Sequence, residues 1–82
     1  MMWNREQWAL GISYRGNDPH LDEAVASIAA VHGGTPRSVN AEQPYRGLGF
    51  NFADRLSAEN ARRAILEFRP GVLSTTNPQP DN

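Results

Sequence analysis

The sequence predicts an α+β domain, an antiparallel sheet carrying two helices on one of its faces. Three observations lead there. Residues 8–15 and 45–54 alternate apolar with small or polar side chains, the period of a strand with one buried face. The residues after Pro19 and after Ser57 repeat their apolar members at helical spacing. Glycine, proline, asparagine and aspartate punctuate the chain so that the elements run strand, helix, strand, strand, helix, strand.

The first strand puts Trp8, Leu10, Ile12 and Tyr14 on one face, with Ala9, Gly11, Ser13 and Arg15 on the other. Gly16-Asn17-Asp18-Pro19 then turns the chain. Asp18 is suited to cap a helix and Pro19 to open it, where a missing N–H loses no hydrogen bond. Leu21, Val25, Ile28 and Val31 form the expected apolar stripe. Asp22 and Glu23 sit near the positive end of the helix dipole, and Gly33-Gly34 stops the helix.

Residues 35–42 read as a weaker edge strand, because Pro36 near its start cannot donate to a ladder. After Gln43-Pro44, Leu48, Phe50 and Phe52 share one face and Tyr45, Gly47, Gly49 and Asn51 the other. Ser57 is placed to cap the second helix. Its expected stripe is Ala61, Ala64, Ile65 and Phe68, and Glu59–Arg63 and Arg63–Glu67 are i,i+4 pairs on the wet side. Pro70-Gly71 ends it, and residues 72–75 form a short last strand. The plan is the ferredoxin-like βαββαβ arrangement, a four-stranded antiparallel sheet with both helices on one face. Residues 1–75 make one domain. Residues 76–82, with two prolines, two asparagines and an aspartate, are expected to be a flexible C-terminal tail.

At 82 residues the chain buries only about 60% of its unfolded surface, which predicts a modest stability margin. It has no cysteine, so disulfides and thiolate metal sites are excluded. No apolar run approaches the roughly 18 residues of a membrane span, and residues 1–7 are polar and mixed in charge, unlike a signal peptide. A cytoplasmic protein, a monomer or weak dimer, is expected. The net charge of −1 offers no bulk attraction to nucleic acid or membrane. All eight basic residues are arginine, which suits forked contacts to carboxylate or phosphate but also follows from GC-rich coding.

Catalytic patterns are sought and not found. Residues 11–16 exceed a Gly-x-Ser-x-Gly elbow by one and lie inside a strand. Gly47-x-Gly49 lacks the third glycine of a dinucleotide loop. His20 and His32, near opposite ends of one helix, cannot share a metal. No catalytic residue, metal or cofactor is expected.

Several stretches resemble the RNA recognition motif. Arg15-Gly16-Asn17 closes the first strand, Leu21-Asp22-Glu23 opens the first helix, and residues 45–52 (YRGLGFNF) are similar to that family's Gly- and Phe-rich third strand. Ala53-Asp54, Ser57-Ala58-Glu59 and Ala64-Ile65 resemble its run into the second helix. The resemblance covers residues 8–75 and implies RNA binding by stacking bases on strand aromatics. Two registers are possible. In one, Phe50 occupies a stacking position. In the other, Leu48, Phe50 and Phe52 are core, and the stacking positions are Gly47 and Gly49. The second is preferred, because a one-residue slip turns the whole apolar set to water.

On that register the open face is bare, and the function expected is protein contact with a larger protein or ribonucleoprotein, as a small inhibitor or adaptor. Single-domain inhibitors of phages and mobile elements, anti-CRISPR proteins among them, are similar in format. The expected partner-binding residues are Trp3, Arg15, Tyr45 and Arg46. Arg46 points away from the open face and must reach round to it. The alternative, a degenerate recognition motif binding single-stranded nucleic acid weakly, would use Arg15, Tyr45, Arg46 and Phe50. A second possible surface is the helical side, with Arg62 and Arg63.

Overall fold

The computed structural model of the chain describes residues 7–81. Strand β1 (Gln7–Arg15) leads into helix α1 (Pro19–Val31), then β2 (Thr35–Asn40), β3 (Tyr45–Phe52), helix α2 (Arg55–Phe68), and two short strands, β4 (Ser74–Thr75) and β5 (Gln79–Asp81). The sheet order is β2-β3-β1-β4, antiparallel throughout, with β5 also paired to β1. This is the expected α+β plan with one strand more.

The central pair sets the register. Leu10 lies opposite Phe50, Ile12 opposite Leu48 and Trp8 opposite Phe52, so the apolar members of β1 and β3 share one face. Against them pack Leu21, Val25 and Ala29 of α1 and Ala58, Ala61 and Ile65 of α2. The register with Phe50 as a stacking residue is therefore overturned: Phe50 is 4% exposed, in the core.

Helix α1 begins as its residues dictate. The Asp18 side chain accepts from the N–H groups of His20 and Leu21, and Pro19 takes the first turn. Gly33, at φ +82°, carries the chain out, and the Gly34 N–H donates back to the Ala29 carbonyl at 2.8 Å. Gly34 answers a packing need: a Cβ there would stand 2.6 Å from the Phe52 ring.

Four expectations are corrected. The α1 stripe runs Leu21, Val25, Ala29; Ile28 is half-buried and Val31 is 81% exposed, because the buried face centres on Val25 and, at 3.6 residues per turn, Val31 lies about 120° round the helix from it. Helix α2 starts three residues early, capped by Asp54 rather than Ser57, and the Asp54 carboxylate accepts the Ser57 N–H at 2.8 Å. Its stripe likewise starts earlier, at Ala58, and leaves Phe68 exposed past its end. Finally, residues 79–81 are not a free tail but pair along the first residues of β1.

Candidate functional site

The sheet face opposite the helices is a trough of about 450 Å³. Its floor is the cross-strand set Gly11–Gly49 and Ser13–Gly47 of β1 and β3. Arg37, Ser38 and Asn40 of β2 wall one side; Ser74, Thr76 and Gln79 wall the other.

Local chemistry builds these walls. Thr76 is locked to Gly11 both ways: the Gly11 N–H donates to Thr76 Oγ1 at 2.9 Å, and the Thr76 N–H donates to the Gly11 carbonyl at 2.9 Å. A bulge in β2 between Pro36 and Ser38 sets Arg37 out of register, and Ser38 lies close over Gly49. Arg37 bonds Asp81 through Nε at 2.8 Å and through a second nitrogen at 3.1 Å. That pair joins β2 to β5 across the two central strands. The hydrogen bond from Arg37 holds the Asp81 carboxyl below its ordinary range, and Asp81 in turn raises the guanidinium.

The expected partner-binding residues fall apart into three groups. Arg15 and Tyr45 are cross-strand neighbours at one end of the open face, and Tyr45 is 56% exposed. Trp3 lies outside the described residues. Arg46 does not reach round. It faces the helices, opposite Tyr14, and its Nε meets Asp22 Oδ2 at 2.5 Å, mostly buried. Tyr14 explains this, because its hydroxyl donates to Asp22 Oδ1 at 2.5 Å and accepts from the Asp18 N–H at 2.9 Å. Burial, reinforced by the bond to Asp22, pushes the Tyr14 phenol above its ordinary value. The cluster pins the start of α1 to the ends of β1 and β3. On the helical side, Arg62 is half-buried rather than solvated, and its Nε has no partner among the described residues.

Sequence reasoning found the bare floor and the Arg15–Tyr45 end. It missed Arg37, Ser38, Thr76 and Asp81, whose roles depend on a bulge and on a C-terminal strand that no local pattern marks. Among the described residues no group of three or more His, Asp or Glu side chains could hold a metal, and no helix is long and apolar enough to cross a membrane. No family model matches the sequence, and no curated protein matches it. The resemblance to the RNA recognition motif stands on the quoted residues alone.

Proposed function

We propose that this chain is a non-catalytic binding module that acts by protein contact through the open face of its sheet, as a small cytoplasmic inhibitor or adaptor. The observation that carries this reading is Gly47. The other six glycines have an internal reason: positive φ at Gly16, Gly33 and Gly71, and close neighbours at Gly11, Gly34 and Gly49. A Cβ at Gly47 would meet only ordinary contacts at 3.6 Å and beyond. A glycine inside a strand costs roughly 0.5–1 kcal/mol relative to alanine. Close approach of another molecule to the backbone is a physical return for that cost.

The second reading, weak binding of single-stranded nucleic acid, draws on the adjacent cation and aromatic ring of Arg15 and Tyr45. Glycines at both stacking positions and a net charge of −1 weigh against it. Affinity capture from the source cell separates the surfaces. We expect Arg15→Glu and Gly47→Leu to lose a partner that the wild type and Arg63→Glu, a change at an exposed position of α2, retain, all four proteins remaining folded. Retention by Gly47→Leu with loss by Arg63→Glu would refute the open-face site. Salt-sensitive, sub-micromolar binding of an RNA oligonucleotide, lost in Tyr45→Ala, would put nucleic acid first.

A further inference from the structure

A second surface lies on the other side of the sheet, where the helical layer stops short of β2. All six residues of β2 are exposed, and nothing pairs with its outer edge among the described residues. Beside that edge runs a groove of about 300 Å³ between α1 and β2. Leu48 and Phe50 form its floor, Ala26 of α1 and Val39 of β2 its sides. Val39 points to the helical side, opposite Leu48, yet is 63% exposed.

The groove's charge is one-sided. Asp22 on its rim is matched by Arg46. Glu23, also on the rim, is exposed and in no ion pair among the described residues. The cation of β2, Arg37, is held by Asp81 on the opposite face.

The geometry points to strand addition at β2: an extended segment of a partner protein pairs with residues 38–40, placing an apolar side chain against Val39 and Leu48 and a lysine or arginine, two residues away, beside Glu23. Strand addition draws affinity from main-chain hydrogen bonds and specificity from alternate side chains, which all face the groove. Pro36 and the bulge after it blunt the first half of the edge, which confines pairing to residues 38–40. A second copy of the chain does not supply the partner, because its β2 has no free cation to meet Glu23. This site is separate from the glycine trough and stands or falls independently of it.

The test uses the full chain, isotope-labelled, and two acetylated, amidated peptides, Thr-Ile-Thr-Lys-Thr and Thr-Ile-Thr-Glu-Thr. Titration followed by amide chemical shifts should move Ser38, Val39, Asn40, Glu23 and Leu48, with the lysine peptide binding about fivefold more tightly, the scale of one exposed ion pair. Glu23→Lys should reverse that preference while leaving the spectrum otherwise folded. The proposal is overturned by an unmoved β2, by shifts confined to the trough, by equal response to both peptides, or by concentration-dependent shifts of β2 without peptide, which would mean self-association.

Discussion

Individual residues here carry opposite requirements under the same name. Gly34 and Gly47 are both glycines, but Gly34 faces the ring of a Phe52 that is 1% exposed and cannot move aside. Gly34→Ala should lower stability by about 1–3 kcal/mol, the usual cost of overpacking. Gly47→Ala should raise it by about 0.4–1 kcal/mol through the unfolded chain. Chemical denaturation of the two variants checks both signs, and a loss at Gly47 would mean the position has an internal role. Tyr14 carries a pH dependence as well. Its phenol is neutral when protonated, and its value in the folded protein is raised, first by burial and then by Asp22. Its contribution is therefore complete below the ordinary phenol value of 10.0 and is lost as pH climbs through the raised one. Tyr14→Phe should cost about 1–3 kcal/mol at neutral pH, because Asp22 and the Asp18 N–H lose a buried partner. It should also flatten the fall in denaturation midpoint as pH rises above the ordinary phenol value of 10.0. A variant with the wild-type alkaline slope would remove Tyr14 as its source.

At the scale of elements, legibility tracked how local the determining force is. Strands β1 and β3 could be read because burial on one face imposes period two, and only one register keeps Leu10, Ile12, Leu48, Phe50 and Phe52 together. The start of α1 could be read because Asp18 and Pro19 act within one turn. The start of α2 was misjudged because Asp54 and Ser57 are both capping residues three apart, and the chain uses the first. The Ser57 N–H holds the Asp54 carboxyl below its ordinary value. Its stabilisation is present above the unfolded carboxylate range and is lost as pH falls through the lowered value. Asp54→Ala should accordingly lower the thermal midpoint more than Ser57→Ala does, and the gap between the two should close in acid. Equal midpoints at neutral pH would assign the cap elsewhere. Strand β5 was illegible: Pro78 and Pro80 signal a tail, and these residues become a strand through backbone pairing with β1, which is distant in sequence. The same holds for the trough walls, since the β2 bulge and Thr76 matter only once β1 and β3 are in place.

Across the whole molecule, the Arg37–Asp81 pair joins residues 44 apart in sequence. It ties the edge strand β2 to the last strand of the chain. Without it, β5 is held by three residues of pairing, one of them proline. An ion pair this exposed adds little to global stability. Its effect belongs to local opening, because short terminal strands unfold well below the global free energy. Arg37→Ala should therefore leave the global denaturation midpoint nearly unchanged. It should speed amide hydrogen exchange at residues 79–81 and in the part of β1 they cover, while leaving exchange at Leu10–Phe50 as it was. Raised salt should reproduce part of this in the wild type by screening the pair. Acid should do the same, because the lowered Asp81 carboxyl loses its contribution as pH falls through its folded value. Faster exchange throughout the sheet would show the pair to be part of the core's cooperativity. Unchanged exchange at residues 79–81 would show that backbone pairing alone holds β5, and that the wall of the trough does not depend on Arg37.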